Sequence, residues 1–193
     1  MHPYHFRDAA LRTAHRGWHV FPLRPHSKTP AIGNWPQQAT TDPVRIHQFW
    51  PRNSRRNIAV ACGPSRLFVI DLDIATTRVD KSIAQPTDGR NTLGQLAIRH
   101  RKPVPAPTLT VSTPSTGYHL YYRSPPRPRL GNSIGLLKPH IDTRAHGGYV
   151  VAAGSRLPHG AYRVVDPHPA DPAAAPDHRP ADSTTTVDSA ATR

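Results

Sequence analysis

The sequence predicts a mixed domain of the α/β or α+β class over residues 1–165. Short apolar runs with strand character alternate along this part of the chain with stretches of helical periodicity. The length of 193 residues, with 36% hydrophobic residues and 23 prolines, fits one domain with a tail rather than two domains. Residues 166–193 are rich in Pro, Ala, Ser, Thr and Asp, and we expect them to be disordered because they have almost no apolar surface to bury.

Helix signals occur at three places in the predicted domain. Apolar residues at positions 6, 9, 10, 11 and 14 follow the helical period, and Gly17 is placed to end that helix. Asp42 followed by Pro43 is a typical helix start, and a third helix is predicted at 91–98. Strands are predicted at 18–23, 58–62, 67–72, 108–112, 118–122 and 149–152.

The charge distribution favours an anionic partner. Residues 1–165 hold 23 Lys and Arg against seven Asp, a surplus of +16, and the chain has no Glu. Nucleic acid is the commonest partner of such a surface, although a basic surface kept for solubility has the same composition. One cysteine excludes a disulfide framework and a cysteine-rich zinc site. No apolar run suits a membrane span or a signal peptide, so we expect a cytoplasmic protein without a membrane partner.

Two aspartates stand at the end of the predicted strand 67–72. Because side chains alternate in a strand, Asp71 and Asp73 share a face, while Ile70 and Leu72 point into the core. A divalent cation would remove the repulsion between the carboxylates, and hard oxygen ligands suit Mg²⁺ or Mn²⁺. A strand that ends in an exposed Asp-rich turn is the alternative explanation.

A second segment combines a turn of small residues with a histidine. Ser115 and Gly117 lie in the turn, and His119 lies at the start of the predicted strand 118–122. Backbone N–H groups and hydroxyls of such a turn can hold a phosphate, and an adjacent histidine can donate a hydrogen bond to it. A hairpin turn beside a surface histidine is the alternative, in a chain with 13 histidines.

A third segment places a lone aspartate ahead of a Gly-Gly turn. Asp142 follows an apolar residue and could supply the third carboxylate that a two-metal site requires. Arg144 could bind a phosphate through two parallel hydrogen bonds. An Asp–Arg surface pair beside a hairpin turn is the alternative.

The order of these three segments resembles the motifs of the archaeo-eukaryotic primase superfamily. More narrowly, it resembles the bifunctional DNA primase/polymerase (prim-pol) N-terminal domain of mobile-element replication proteins. The resemblance extends over residues 5–165 and implies a primase-like fold, in which an RRM-like sheet carries the carboxylates beside a smaller nucleotide-contacting unit. The segments that support it are Phe21-Pro22-Leu23, Ser27-Lys28-Thr29-Pro30, Trp35, Asn57-Ile58-Ala59-Val60 and Gly154-Ser155.

The resemblance also implies a function. It describes a template-dependent nucleotidyltransferase that joins nucleotides on single-stranded DNA in the replication of a plasmid, phage or similar element. The expected partners are the DNA template, nucleoside triphosphates and a separate replicative helicase. The residues implied are Asp71, Asp73 and Asp142 as catalytic ligands of two divalent metals (Mg²⁺ or Mn²⁺), and Ser115, Gly117, His119 and Arg144 as nucleotide contacts.

Two features depart from the family pattern and leave other functions open. Some relatives carry a glutamate where this chain has Asp73, and some carry a Cys/His zinc insertion that one cysteine cannot form, so no structural zinc is expected. The first alternative is a non-catalytic single-stranded DNA-binding module or a truncated remnant of a larger primase-helicase. The second is a metal-dependent nuclease that uses the same acids.

Overall fold

The computed structural model describes residues 2–75, 87–127, 129–138, 140–167 and 175. The helices in these ranges are α1 (His5–His15), α2 (Trp35–Gln38), α3 (Pro43–Phe49) and α4 (Gly89–Arg99). The strands are β1 (Val20–Leu23), β2 (Asn57–Ala61), β3 (Leu67–Leu72), β4 (Ile74–Ala75), β5 (Thr87–Asp88), β6 (Thr110–Ser112), β7 (Tyr118–Arg123), β8 (Ser133–Lys138), β9 (Ile141–Arg144), β10 (Tyr149–Val151), β11 (Arg156–Leu157), β12 (Gly160–Ala161) and β13 (Arg163–Asp166). Among the helices in these ranges, none has the length and apolar character needed to span a bilayer.

Two antiparallel sheets form the body of the domain. One has three strands in the order β1-β2-β10, and the other has six in the order β13-β6-β7-β3-β9-β8. Every pairing between the described strands is antiparallel, which assigns the domain to the α+β class rather than to the parallel-sheet α/β class. The RRM-like arrangement that the resemblance implies stays a prediction.

The central strand β3 is packed on both of its faces. Val69 belongs to a large apolar cluster that joins the two sheets with α1 and α3. Ile70 and Leu72 belong to a smaller cluster on the opposite face, against which Leu93 of α4 packs. By alternation, Asp71 lies on the same face as Val69. We expected only the face of Ile70 and Leu72 to be packed, whereas the structure places Asp71 at the edge of the larger core.

The predicted helices are all present, and their ends have the expected causes. Gly17 adopts a φ of +79° and donates its N–H to the Ala14 carbonyl at 2.8 Å, which closes α1. Asp42 Oδ1 accepts the Val44 N–H at 2.9 Å, with Pro43 in the first turn of α3. The predicted helix at 91–98 corresponds to α4.

The predicted strands are also observed, with ends that shift by one or two residues. Although β2 and β3 are consecutive, they lie in different sheets. Strands β4, β5, β8, β9, β11, β12 and β13 were not predicted. Most of the predicted tail 166–193 lies outside the described residues; within it, Asp166 ends β13 and the Ala175 N–H donates to the Arg123 carbonyl at 3.0 Å. The boundary at residue 165 and the disorder beyond it stay predictions.

Candidate active site

Three of the residues selected from the sequence lie side by side across the six-stranded sheet. His119 on β7 and Asp142 on β9 are both register partners of Asp71 on β3. Directly opposite residues of antiparallel strands have Cβ atoms about 4.5–5.5 Å apart on one face of the sheet. His119 Nε2 lies 3.5 Å from Asp71 Oδ1. The sheet therefore assembles one row, His119–Asp71–Asp142, from residues that are far apart in the sequence.

The carboxylates of this site lie where their charges are unfavourable. Burial raises the pKa of Asp71, and the charge of Asp142 adds to this effect, while Arg144 and Lys28 oppose it. Asp73 directly follows β3, and its pKa is raised first by burial and then by the charge of Asp71. A cation held near these oxygens would offset the repulsion.

His119 is a neutral ring at neutral pH. Its side chain is only 7% exposed, and burial, reinforced by the charge of Lys28, lowers its pKa to about 4. The contact with Asp71 therefore joins a carboxylate to an uncharged imidazole and is not an ion pair. The Tyr162 ring packs 5.6 Å from the imidazole. The buried Nδ1 has no hydrogen-bond partner among the residues that the structure describes.

A cavity of about 330 Å³ opens beside the row. Asp71 and His119 line it, and so do the cationic side chains of Lys28 and Arg144. Guanidinium and ammonium groups bind phosphate, whereas carboxylates bind hard cations. The wall therefore combines groups suited to a phosphate ligand with groups suited to its counterion. The other lining residues are Trp35, Asn132, Gly147, Gly148, Tyr149, Val150, Val151 and Tyr162.

The loop that carries Lys28 is fixed to the three-stranded sheet. The Tyr149 hydroxyl donates to the Lys28 carbonyl at 3.0 Å, and Asn57 Nδ2 donates to the Ser27 carbonyl at 3.0 Å. Asn57 is fully buried on β2, so this anchor is rigid. The segment around Lys28 supported the family resemblance, but the sequence assigned it no role. The structure places Lys28 at the cavity.

The turn before β7 has a structural task at the site. A Cβ atom on Gly117 would collide with the carbonyl oxygen of Leu72 and lie 3.4 Å from the Cα of Asp73, so glycine lets β7 approach the end of β3. The Gly117 N–H is already bound to Thr113 Oγ1 at 3.1 Å. Ser115 is exposed, with Oγ 3.5 Å from His159 Nε2. Neither Ser115 nor Gly117 lines the 330 Å³ cavity.

Asp142 forms an ion pair with Arg144, whose Nη2 lies 3.3 Å from Oδ2. In the described ranges, no three His, Cys, Asp or Glu side chains are already grouped so that they could hold a metal ion. The donor chemistry nevertheless fits Mg²⁺ or Mn²⁺, because Asp71 and Asp142 are opposite each other and Asp73 follows β3. An ion shared by all three carboxylates would compete with Arg144 for Asp142.

Two residues of the cavity were not found from the sequence. Asn132 Oδ1 accepts the Ala145 N–H at 2.8 Å, and Tyr162 packs against His119. Asn132 precedes β8 and Tyr162 lies between β12 and β13, so both reach the cavity through long-range contacts of the fold, and neither belongs to a local pattern. By contrast, His119, Asp71, Asp142 and Arg144 come together as residues of the predicted motifs.

Comparison with known proteins identifies the family. The chain matches none of the curated proteins with which it was compared. The profile of the family described as bifunctional DNA primase/polymerase, N-terminal (Prim-Pol), matches residues 10–178. This range contains every residue of the cavity and of the row His119–Asp71–Asp142. The chain therefore belongs to the bifunctional DNA primase/polymerase N-terminal family.

Proposed function

We propose that the chain is a template-dependent nucleotidyltransferase, a DNA primase/polymerase that joins nucleotides on single-stranded DNA. One observation carries the proposal: the row His119–Asp71–Asp142 lies beside a cavity that also holds Lys28 and Arg144. Phosphoryl transfer depends mainly on positioning and on electrostatic stabilisation of phosphate charge. The carboxylates can bind cations and the neighbouring cationic side chains can bind phosphates, so the site can supply both the positioning and the electrostatic stabilisation. The replication context and a separate helicase partner rest on the resemblance alone.

Asp71, Asp73 and Asp142 would hold two divalent cations, Mg²⁺ or Mn²⁺. When bound, such cations lower the pKa of the attacking primer hydroxyl and offset the charge of the pyrophosphate that leaves. The raised pKa values of Asp71 and Asp73 support this role, because both carboxylates gain from a positive neighbour.

Lys28, Arg144 and His119 would bind the triphosphate of the incoming nucleotide. Arg144 can hold two phosphate oxygens at once, and Lys28 acts as a point charge. His119 is neutral, so it would contribute a hydrogen bond and no charge. Ser115 and Gly117 stay predicted nucleotide contacts, although the packing of Gly117 on β3 also gives it a structural role.

The test is incorporation of labelled nucleotides on single-stranded DNA, primed and unprimed, with Mg²⁺ or Mn²⁺. We expect extension by the wild-type protein and a loss of at least about 100-fold for Asp71→Asn, since a group that stabilises transition-state charge is worth that much. The matched control is Asp8→Asn on α1, the same change on a side chain that is 39% exposed and is not among the described residues that line the cavity.

The same assay separates the alternatives. Metal-dependent degradation of the DNA, with no extension, would identify a nuclease. Salt-sensitive DNA binding without turnover would identify a non-catalytic module, a reading that the ion pair between Asp142 and Arg144 favours. Equal activity of Asp71→Asn and Asp8→Asn would show that the row His119–Asp71–Asp142 takes no part in catalysis.

A further inference from the structure

A second, larger cavity adjoins the catalytic cavity. Its volume is about 530 Å³, and the two cavities share Trp35, Gly147 and Gly148 as lining residues. The turn between β2 and β3 contributes Arg66 to its wall, and the segment after β7 contributes Arg129. A ligand could therefore extend from one cavity into the other without leaving the protein surface.

The wall of this second cavity is cationic. Arg66 and Arg129 are exposed, and neither forms an ion pair with any residue that the structure describes. None of the described lining residues is acidic, and the exposed His146 adds a further polar ring. Unpaired guanidinium groups bind phosphate oxygens through paired hydrogen bonds. The cavity is therefore suited to an anionic ligand and not to a metal ion.

Trp35 supplies an aromatic surface where the two cavities meet. Its ring stacks on Phe21 at a centroid distance of 4.6 Å, while Tyr149 meets its edge at 5.0 Å. The ring is only partly buried, in contrast to Trp18 and Trp50, which belong to the core. Aromatic rings interleaved with cationic groups along a groove are typical of single-stranded nucleic acid sites.

We infer that the groove formed by Arg66, Arg129, His146, Trp35 and Gly147-Gly148 binds single-stranded DNA on its way into the catalytic cavity. Arg66 and Arg129 contact the phosphates, and a base stacks at Trp35. The inference rests on the proposed function, since the bound strand is the template that the catalytic cavity copies. A volume of about 530 Å³ lies within the range of about 300–1,000 Å³ for small-ligand clefts, but an open wall whose described residues include two arginines and no acid favours a longer anionic chain.

The test measures binding of a fluorescent 20-nucleotide oligothymidine to the full chain at several salt concentrations, with no nucleoside triphosphate present. For the double variant Arg66→Gln/Arg129→Gln we expect affinity to fall about tenfold or more near 0.1 M salt. The slope of log affinity against log salt should become shallower by about 1.4, since each phosphate contact to a single strand contributes about 0.7.

The matched control is Arg55→Gln/Arg156→Gln, which removes the same charge from another exposed cavity wall. We expect this pair to keep a slope close to that of the wild-type protein. An equal loss of DNA affinity in both double variants would show that the effect comes from general surface charge, and it would overturn the inference. Unchanged binding by the Arg66/Arg129 variant, or no binding by the wild-type protein, would overturn it as well.

Tryptophan fluorescence gives an independent readout. Trp18 and Trp50 are buried, so quenching by DNA should come from Trp35 and be lost in Trp35→Phe, which retains a ring against Phe21. Quenching that persists in Trp35→Phe would contradict base stacking there. The two proposals can fail separately. If the wild-type protein incorporates nucleotides and Arg66→Gln/Arg129→Gln binds DNA normally, only the groove proposal is wrong. If Arg66→Gln/Arg129→Gln selectively loses DNA binding but the wild-type protein incorporates no nucleotide, only the polymerase proposal is wrong.

Discussion

His119 Nε2 lies 3.5 Å from Asp71 Oδ1, and burial disfavours the charged form of both side chains. Burial lowers the pKa of His119 to about 4, and burial raises the pKa of Asp71. The two groups therefore do not neutralise each other as an ordinary His–Asp ion pair would. The cationic side chains of Arg144 and Lys28, and not His119, act against the rise in the Asp71 pKa, which places carboxylate and cationic groups together at one site.

Replacement of His119 by Gln should make stability less dependent on pH. The folded-state pKa is about 4 against 6.5 for the free side chain, so the unfolded chain binds more protons between those values. Stability of the wild-type protein should therefore fall as the pH drops from 6.5 to 4, by roughly 3 kcal/mol from this residue. Urea unfolding at pH 4.5 and 7.5, with EDTA present, measures the difference.

The control for this prediction is His47→Gln, because His47 is exposed on α3. The raised pKa of Asp71 and of Asp73 acts with the opposite sign, since protonation of a buried carboxyl favours the folded state as the pH falls. That contribution is unchanged in His47→Gln, whereas His119→Gln also removes the influence of His119 that lowers the pKa of Asp73. Identical pH dependence in wild-type and His119→Gln proteins would show that the ring is not held neutral by the fold.

Gly117→Ala should destabilise the junction between β7 and β3. The added methyl group would collide with the Leu72 carbonyl oxygen, which is backbone and cannot rotate away. We expect a loss of about 1–3 kcal/mol in the free energy of unfolding, the usual cost of overpacking. The measurement is urea unfolding of the purified variant.

The control is Gly94→Ala inside α4, where an added Cβ meets nothing within 4 Å. That change should be neutral or stabilise by up to about 1 kcal/mol, because alanine is the better helix former. If both variants unfold like the wild-type protein, the close approach of β7 to β3 carries no energetic weight.

The elements that the sequence predicted are those with local causes. Asp42 and Pro43 start α3 through their own side chains, and the mainly apolar run 67–72 gives β3 a strand signal of its own. Strand β9 was missed because its four residues include Asp142, Thr143 and Arg144 and have no apolar run. Its existence depends on pairing with β3, which is a long-range contact.

The residues of the candidate site also divide into those that a local motif indicates and those that only the fold brings to the cavity. The motifs identified Asp71, His119 and Asp142, yet no local pattern indicates that they form one row, because strand order decides that. The contribution of Lys28 depends on its anchor to Asn57 and Tyr149, and Asn132 reaches the cavity only through the fold. The sequence therefore indicates the charged and titratable residues of the site more readily than the residues that anchor and surround them.

Asp42→Ala should cost about 1 kcal/mol of stability, the usual value for loss of an N-cap. The lost interaction is the hydrogen bond from the Val44 N–H to Asp42 Oδ1 at 2.9 Å. Asp42→Asn retains a capping oxygen and should stay close to the wild-type protein, as measured by thermal unfolding. Equal destabilisation by Ala and Asn would indicate that charge, and not the cap, is responsible.

Lys28→Gln should weaken nucleotide binding and move the pH dependence of activity. Its charge lowers the pKa of both Asp71 and Asp73, so its removal should raise both values. The carboxylates bind cations only when ionised, and the acidic limb of the pH profile should therefore shift to higher pH. The KM for the nucleotide should rise about tenfold, as expected for one lost charge-assisted contact.

The control is Lys102→Gln, which removes the same charge after the end of α4 from a residue that does not line the described cavity. It should leave the KM and the pH profile unchanged. A rise in KM with no shift of the acidic limb would mean that Lys28 contacts the nucleotide without acting on the carboxylates.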